Sequence, residues 1–364
     1  MDPRFDQVRA LLPTLGVDAI ALIPGPNLDR LLGHSFHLME RPLVVVIDSQ
    51  QARAIVPKIE LSILQDTGFT GECMVWRDED GYQAAFDQLF ADSGIQSLGV
   101  EGMRMRVFES MAIQSANPSI HVSNQSLAID ALRQAKSDEE ITALRKAIQI
   151  SEAALEDVLA TVKVGDTEKD IESRLVQALF AHGAEDLSFA PIVAAGGNSA
   201  NPHASARADY AIQAGDPLLI DFGARYGHMN ADITRTFFVA HVSDKHQRFY
   251  NTVLAANRAG CTLDPKNVSC HDLNEAATQV LRDSEFSEHI LHKTGHSLGR
   301  DVHETPHIMA GEHSPITEGM VFTVEPGLYI QDEIGVRIED DIWVHQGELV
   351  SLTTFGRELR VVEA

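Results

Sequence analysis

The 364-residue chain has only three cysteines, and this scarcity excludes two kinds of site. Cys73, Cys261 and Cys270 are odd in number and irregularly spaced, so the sequence predicts neither a disulfide framework nor a zinc site built from cysteine pairs. The chain also lacks any run close to the ~18 apolar residues that a membrane-spanning helix needs. Its first residues have no apolar core typical of a secretion signal. These absences predict a soluble cytoplasmic protein.

Positive charge is also in short supply. Lysine and arginine total 29 against 53 aspartate and glutamate residues, which gives a formal net charge of -24. Nucleic acids and anionic membranes attract basic surfaces, so this balance predicts that the protein binds neither. Most of the acidic residues are expected on a solvated surface. A minority lie inside apolar runs, where an unpaired carboxylate is destabilising, and these need another explanation.

Two kinds of pattern divide the chain into two predicted domains. Residues 1–128 alternate helical and strand patterns, which predicts an α/β domain with a largely buried sheet. Residues 129–364 begin with two helices that open at capping boxes on Ser137 and Thr167, and Gly165 is expected to end the first of these helices. Strand-rich segments follow, interrupted by helical stretches at about residues 244–260 and 271–284, so the second domain reads as α+β.

Two aspartates flank a predicted hairpin in the apolar stretch IDFGARYGHMNADITRTFF. If the tight turn is centred on Tyr226 and Gly227, Asp221 on one strand lies directly opposite Asp232 on the other. Directly opposed side chains have Cβ atoms about 4.5 to 5.5 Å apart, and like charges at that distance destabilise the pairing. Either one carboxyl group is protonated or a cation lies between the two.

A second carboxylate pair is predicted in VFTVEPGLYIQDEIGVRIEDD. A turn at residues 331–333 places Glu325 opposite Glu339, with Arg337 on the same face. Pro326 cannot donate a ladder hydrogen bond, so we expect an edge or a bulge there. A shared proton of the aspartic-protease kind explains one such pair but not two. Four carboxylates and an imidazole suit two divalent ions, and this oxygen-rich ligand set favours Mn, Co or Zn.

Histidine is concentrated in the segment LHKTGHSLGRDVHETPH, which contains His292, His296, His303 and His307 within sixteen residues. Any one of these histidines taken alone would more often be structural. Their density beside the predicted carboxylate pairs favours a functional role for His296 and His303. The role of His307 stays open between the two interpretations.

Four segments together resemble a known group of enzymes. DFGARYGHMNADITRT, HKTGHSLGRDVHE, FTVEPGLY and GVRIEDD resemble, in this order, the metal-site motifs of the pita-bread metallopeptidases, in the branch of the Xaa-Pro dipeptidases (prolidases) and aminopeptidases P. The N-terminal part resembles the creatinase-type domain of that branch. The resemblance covers essentially the whole chain. It implies a creatinase-like α/β domain over residues 1–128, an α+β pita-bread domain over residues 129–364, and a homodimer.

The resemblance also implies roles for individual residues. Five of them match the ligands of two divalent metal ions, of which manganese is the expected metal: Asp221, Asp232, His296, Glu325 and Glu339. Glu325 also matches the general base, and His303 matches the histidine that stabilises the oxyanion. His203 matches a histidine of the substrate site, and His292 and Arg337 match positions that either support the metal ligands or orient the substrate. The implied reaction is hydrolysis of the peptide bond before proline in a dipeptide or a longer peptide.

Within this branch, the compact length favours a dipeptidase over an aminopeptidase P. Some prolidases have an arginine shortly before the EPG segment that binds the dipeptide carboxylate, and no arginine lies between Arg300 and Arg337 here. Lys293 and Arg300 depart from the usual pattern, and we hypothesise that one of them takes that role. The complete ligand set disfavours a metal-free creatinase and a non-catalytic peptide-binding relative, and the N-terminal domain disfavours a methionine aminopeptidase.

Overall fold

The computed structural model describes residues 2–363, which form two compact units divided between Arg133 and Gln134. Each unit has its own sheets and its own buried apolar clusters. Within residues 2–363, no helix combines the length and the apolar character that crossing a membrane requires.

The first unit is an α/β fold built on one six-stranded sheet. Its strands are β1 (Ala19–Leu22), β2 (Val44–Asp48), β3 (Ala52–Pro57), β4 (Glu72–Trp76), β5 (Ser97–Val100) and β6 (His121–Asn124). Its helices are α1 (Asp6–Leu15), α2 (Pro26–Leu32), α3 (Leu61–Asp66), α4 (Gln83–Phe90), α5 (Val107–Ala116) and α6 (Ser126–Asp130). The strand order is β4-β3-β2-β1-β5-β6, and the pairs that include β4, β5 or β6 are parallel.

Apolar side chains cover both faces of this sheet. On β1, Ile20 and Leu22 belong to one buried cluster, whereas Ala19 and Ala21 belong to another on the opposite face. Alternate residues of a strand point to opposite faces, so continuous apolar strands are expected when both faces are covered. The prediction of a largely buried sheet is confirmed.

The second unit is α+β, as predicted. Its helices are α7 (Asp138–Leu159), α8 (Glu168–Ala181), α9 (Asp244–Cys261) and α10 (Cys270–Arg282). Its strands are β7 (Asp186–Leu187), β8 (Ile192–Ala195), β9 (Pro217–Phe222), β10 (Ala224–Tyr226), β11 (Met229–Asn230), β12 (Ile233–Val239), β13 (Gly295–Ser297), β14 (Glu304–Ile308), β15 (Val321–Val324), β16 (Gly327–Ile330), β17 (Ile334–Arg337), β18 (Asp340–His345), β19 (Glu348–Ser351) and β20 (Val361–Val362).

Two helix pairs cover the sheets of this unit. Helices α7 and α8 pack on the sheet ordered β20-β12-β9-β8 and form one buried cluster with its strands. Helix α10 packs on the sheet ordered β14-β13-β15-β18-β19, whereas most of the buried residues of α9 cluster with the hairpin of β16 and β17. The apolar residues of these helices recur at helical spacing. Hairpin β16–β17 and the three-stranded sheet β11-β10-β7 connect to these layers at the edges where the acidic motifs lie.

The predicted helix starts are confirmed. Ser137 and Thr167 each accept a hydrogen bond from the backbone of the third helical residue, which satisfies a donor that has no partner inside the helix. The predicted end of the first helix is wrong, because α7 already ends at Leu159. Gly165 lies in the following turn with a φ of 92°, and its N–H donates to the carbonyl of Ile212.

The predicted register of the first hairpin is wrong by two residues. Asp221 pairs with Thr234 and not with Asp232. The turn is centred on Gly227 and His228, whose φ angles are 54° and 66°. Two consecutive left-handed residues are typical of a type I′ turn, whose twist matches that of the flanking strands. A shift of two residues preserves the face on which a side chain lies, so Asp232 and Thr234 still share a face.

The predicted register of the second hairpin is confirmed. Gly327 pairs with Arg337 and Ile330 pairs with Ile334, and the turn between them has Asp332 at a φ of 58°. The same register continues beyond the hairpin, where β15 pairs with β18. Between these two ladders, a short segment on each side is not paired. Glu325 and Glu339 lie opposite each other in these segments, next to the proline that cannot donate a ladder hydrogen bond.

Candidate metal centre

The acidic residues of the site lie where strands stop pairing. Glu325 follows β15, and Glu339 lies between β17 and β18. Their backbone N–H groups therefore donate outside their own hairpin, Glu325 to the carbonyl of Thr294 at 2.7 Å and Glu339 to the carbonyl of Thr234 at 3.1 Å. Asp232 directly precedes β12. Gaps in three ladders thus bring carboxylates from separate sheets to one place.

Four predicted ligands converge within contact distance. One ligand atom from each of Asp232, His296 and Glu339 lies within 4.8 Å of the other two. The Nε2 atom of His296 is 3.4 Å from a carboxylate oxygen of Glu325 and 3.6 Å from one of Asp232. These separations are longer than an ordinary hydrogen bond between a ring nitrogen and a carboxylate oxygen. They leave room for an ion among the four side chains. Asp232, His296 and Glu339 are buried, whereas Glu325 is partly accessible.

The imidazole of His296 is oriented for metal binding. Its Nδ1 lies 3.1 Å from the carbonyl oxygen of Ser297, to which a protonated Nδ1 donates a hydrogen bond. Nε2 is then left with a lone pair directed at the carboxylates. Burial, together with the neighbouring His303, lowers the pKa of His296 to about 3. The ring is therefore neutral at physiological pH, as a ligand must be.

The carboxylates repel one another because they are buried together. Burial, followed by the charges of Glu339 and Asp221, raises the pKa of Asp232 well above its usual value. Burial and the charges of Glu325 and Asp221 do the same to the pKa of Glu339. Burial raises the pKa of Glu325 to about 7. Such a cluster is costly in isolation and is relieved by a divalent cation.

Asp221, the fifth predicted ligand, is held by Arg337. The guanidinium donates a short hydrogen bond to Oδ2 of Asp221, and the two side chains are almost completely buried. The other oxygen, Oδ1, is buried and has no hydrogen-bond partner among the described residues. A buried carboxylate oxygen without a partner is costly unless a ligand satisfies it. This oxygen, three further carboxylates and a neutral imidazole suit divalent metal ions.

A chain of hydrogen bonds continues from Arg337 to His292. Arg337 also donates to the hydroxyl of Tyr329 at 2.8 Å, and that hydroxyl is 2.7 Å from Nε2 of His292. Nδ1 of His292 is 2.7 Å from the carbonyl oxygen of Lys293, so Nδ1 carries the proton and Nε2 accepts from Tyr329. Burial lowers the pKa of His292 to about 4, which keeps this ring neutral. His292 is therefore part of a polar network that supports Asp221.

His303 and His203 lie on the accessible side of the centre. The ring of His303 packs edge-on against His296, with 4.3 Å between the ring centroids. Burial and the nearby charge of Lys293 lower the pKa of His303. His203 is exposed on the loop after β8, which is attached to β17 through Ser199. Both histidines are therefore accessible to a substrate that approaches the carboxylates.

Lys293 and Arg300 differ in what they contact. Arg300 is paired with Glu140 at 2.9 Å, and both side chains are largely buried. Lys293 lies 3.0 Å from Nδ1 of His307, and the described residues place no carboxylate within ion-pair distance of its ammonium group. Lys293 nevertheless acts electrostatically on Glu325 and on three histidines of the site.

Three supporting residues were not predicted from the sequence. Thr234 donates to Glu339 at 2.6 Å and accepts from Arg337 at 3.1 Å. Tyr329 connects Arg337 to His292, and Asp341 accepts the backbone N–H of Asp232 at 3.2 Å. Thr234 lies two residues after Asp232, so alternation along the strand already places it on the same face. No comparable sequence signal identifies Tyr329 or Asp341.

Two protein families match this chain. Residues 142–346 match the model of metallopeptidase family M24, and residues 4–135 match the creatinase/prolidase N-terminal domain. Together they support the expected combination of a creatinase-type α/β domain and a pita-bread catalytic domain.

Named relatives agree with these matches. A protein from Pyrococcus horikoshii named Xaa-Pro dipeptidase is 29% identical over 362 residues, which is 99% of each chain. The crystal structure of a prolidase from Thermococcus sibiricus superposes with a TM-score of 0.93 at 29% identity and covers 99% of this chain and 98% of its own. The X-Pro aminopeptidase of Thermotoga maritima has a TM-score of 0.85 at 29% identity, with both chains fully covered.

Proposed function

The chain belongs to metallopeptidase family M24, and from this premise we propose that it is a metal-dependent Xaa-Pro dipeptidase. The observation that carries the proposal is the convergence of Asp232, Glu325 and Glu339 on the lone pair of His296. The unpartnered oxygen of Asp221 completes the donor set. We propose two divalent ions per chain, with manganese the expected metal.

Bound divalent ions would lower the pKa of a water molecule and polarise the peptide carbonyl. The protein supplies the rest of the chemistry. Glu325 is partly accessible and lies beside His296, so it is placed to accept a proton from the attacking water and deliver it to the proline nitrogen. His303 is placed to donate a hydrogen bond to the carbonyl oxygen as negative charge develops there. Arg337 holds Asp221 in place.

The substrate-binding residues in this proposal are His203, His292 and His303. Arg337 orients the site through its hydrogen bonds to Asp221 and Tyr329. His203 and His303 are exposed, so both are accessible to a peptide. Because His292 is held by Tyr329 and its own backbone neighbour, we propose that it acts by shaping the pocket.

The position of Lys293 favours a dipeptide over a longer peptide. Arg300 and Arg337 are each paired with a carboxylate, whereas the ammonium group of Lys293 lies beside His307 and has no carboxylate partner among residues 2–363. The one negative group of a neutral-side-chain dipeptide is its C-terminal carboxylate, and a cation next to the site binds it favourably. In a longer peptide, the residue directly after the scissile bond has no free carboxylate. We therefore assign the role of carboxylate binding to Lys293 rather than to Arg300.

The proposed function is tested by comparing Ala-Pro with Ala-Pro-Ala after metal has been stripped and Mn, Co or Zn added back. We expect hydrolysis of Ala-Pro only in the presence of metal and slow hydrolysis of the tripeptide. Hydrolysis of the tripeptide alone would reject the dipeptidase in favour of an aminopeptidase P, a reaction that the likeness to the Thermotoga maritima enzyme keeps as the second candidate. A metal-replete protein that cleaves neither peptide would support the non-catalytic peptide-binding alternative.

Lys293→Met tests the specificity assignment. With Ala-Pro, the variant is expected to lose about tenfold or more in kcat/KM, mainly through KM, since a hydrogen-bonded charge contributes about 1.5 to 3 kcal/mol. With Ala-Pro amide, which lacks the carboxylate, wild type and variant should be equal. Lys266→Met serves as the charge-matched control on an exposed loop. Equal losses with both substrates would contradict the assignment.

The oligomeric state and location are also part of the proposal. We propose a cytoplasmic homodimer, on the strength of the resemblance to prolidases and not of any feature of the metal centre. Light scattering coupled to size-exclusion chromatography measures the mass directly, and a mass of one chain would contradict the dimer.

A further inference from the structure

The loop that carries His203 is organised around a buried carboxylate on another element. Glu168 is the first residue of α8, and its side chain is completely buried. Its oxygens accept hydrogen bonds from the backbone N–H groups of Ala195 and Arg207, both at 2.7 Å. They also accept from the side chain of Asn198 at 2.9 Å and from the guanidinium of Arg207 at 2.7 Å. One carboxylate thus binds the loop at its start, its middle and its end.

The same loop is attached to the hairpin that leads to the metal centre. Ser199 accepts the backbone N–H of Gly335, on β17, at 2.8 Å. A Cβ atom at Gly335 would lie 1.9 Å from the carbonyl oxygen of Ser199, so the two backbones touch. Strand β17 ends at Arg337, two residues before Glu339. The loop is therefore fixed on one side by Glu168 and on the other by the strand that carries site residues.

His203 has no such support of its own. Its side chain is exposed, and the described residues include no hydrogen-bond partner for it. Its loop is attached four residues earlier, at Ser199, to strand β17, which ends at Arg337 beside Asp221. The direction of the His203 ring thus depends on the backbone of the loop, and the backbone depends on its two attachments.

We propose that Glu168 is a positioning residue for catalysis, which acts at a distance by holding the loop from Ala195 to Arg207 so that His203 faces the metal centre. This inference rests on the proposed function, because it takes His203 to contact the peptide. All of the groups that surround Glu168 are hydrogen-bond donors. A carboxylate accepts all of them, whereas an amide of the same shape would place its own N–H groups against some of them.

A double-mutant cycle between Glu168→Gln and His203→Ala tests the inference. In the wild-type background, Glu168→Gln should lower kcat/KM for Ala-Pro by about 10- to 100-fold, since misplacement of a substrate-contacting group by about 1 Å has effects of this size. In the His203→Ala background it should have less than about a twofold effect, since the two changes act through one side chain. Equal losses in both backgrounds would identify a general structural defect and overturn the inference. Full activity of His203→Ala would overturn it as well.

Hydrogen exchange supplies a readout that does not require activity. Glu168→Gln should speed amide exchange in residues 195–207 and leave residues 340–351, on β18 and β19, unchanged. Glu156→Gln is the matched control, since that carboxylate is paired with Arg360 on the surface. If Glu168→Gln does not fold, Arg207→Met removes the guanidinium bonds while Glu168 stays, and faster exchange confined to the loop is again expected. Unchanged exchange would overturn the inference, whereas a wild type inactive on every Xaa-Pro peptide would reject the proposed function alone.

Discussion

Individual side chains in the metal centre have their protonation states set by burial. The histidines are neutral because burial lowers their pKa values, to about 3 for His296 and about 4 for His292. The same burial acts in the opposite direction on acids and raises the pKa values of Asp232 and Glu339. One desolvated environment thus provides neutral imidazoles and carboxyl groups that hold protons until a cation replaces them.

Substitution of His303 should separate metal binding from catalysis, because it is expected to affect only catalysis. Its ring touches His296 but it is not among the residues that converge on the centre. We expect His303→Ala to keep the metal content of the wild type, as measured by elemental analysis. We expect kcat for Ala-Pro to fall by about 100- to 1,000-fold, the usual effect of removing one oxyanion donor.

The control for this prediction is His289→Ala, which removes a half-buried histidine from a 3₁₀ helix outside the centre. It should leave both metal content and kcat unchanged. Loss of metal from His303→Ala would instead make His303 a structural support of His296, and the assigned role would then be wrong.

At the scale of elements, the site depends on a buried arginine that joins two sheets. Arg235 on β12 is 1% exposed and is paired with Asp340, the first residue of β18, at 2.8 Å. It also donates to the carbonyl of Phe355 at 2.7 Å and to the carbonyl of Glu339. The backbone of a predicted ligand is thus held by a side chain from the opposite sheet.

Arg235→Met should lower the free energy of unfolding by about 3 to 5 kcal/mol, because it removes one of the two guanidinium groups that pair with the buried carboxylate of Asp340 and also removes the donor to the carbonyls of Glu339 and Phe355. Urea denaturation measures this loss. The comparison is Arg360→Met, which breaks the exposed ion pair with Glu156 and should cost about 1 kcal/mol or less. Similar values for the two variants would mean that burial does not determine the importance of the Arg235 pair.

For the whole molecule, stability and metal binding are linked through protons. In the unfolded chain, aspartate and glutamate titrate near pH 4. In the folded, metal-free protein the pKa values of Asp232 and Glu339 are raised by burial and mutual repulsion, so the folded state binds more protons. The contribution of these two carboxyl groups to the free energy of unfolding must therefore fall as the pH rises from about 4 through their raised pKa values.

We expect the Tm of the metal-stripped protein to fall, relative to that of a variant without these two carboxyl groups, as the pH rises above about 4, and added Mn to raise Tm more at the higher pH, because the ion no longer competes with protons. Differential scanning fluorimetry measures both quantities. The control is the double variant Asp232→Asn, Glu339→Gln, which should have a flatter pH profile and no gain from Mn. An identical profile for wild type and double variant would locate the pH dependence elsewhere.

Much of this architecture follows from local sequence patterns. Alternation and helical spacing are local properties, so the helix starts at Ser137 and Thr167 and the fold classes of the two domains were correctly predicted. The register of the second hairpin was also predicted, because the turn lies at the centre of a long apolar alternation. The first hairpin was misplaced by two residues. Its register depends on a left-handed turn at Gly227 and His228 that residue types alone did not reveal.

By itself, the sequence determined which residue types are available for the metal centre and on which strand faces they lie, because these depend on spacing along the chain. Only the tertiary structure decided which groups meet. It brought Asp232, Glu325 and Glu339 to His296, paired Arg300 with Glu140 and placed no acidic partner from the described part of the chain beside Lys293. Those outcomes depend on packing between elements distant in sequence, and burial in turn sets the charge state of each group.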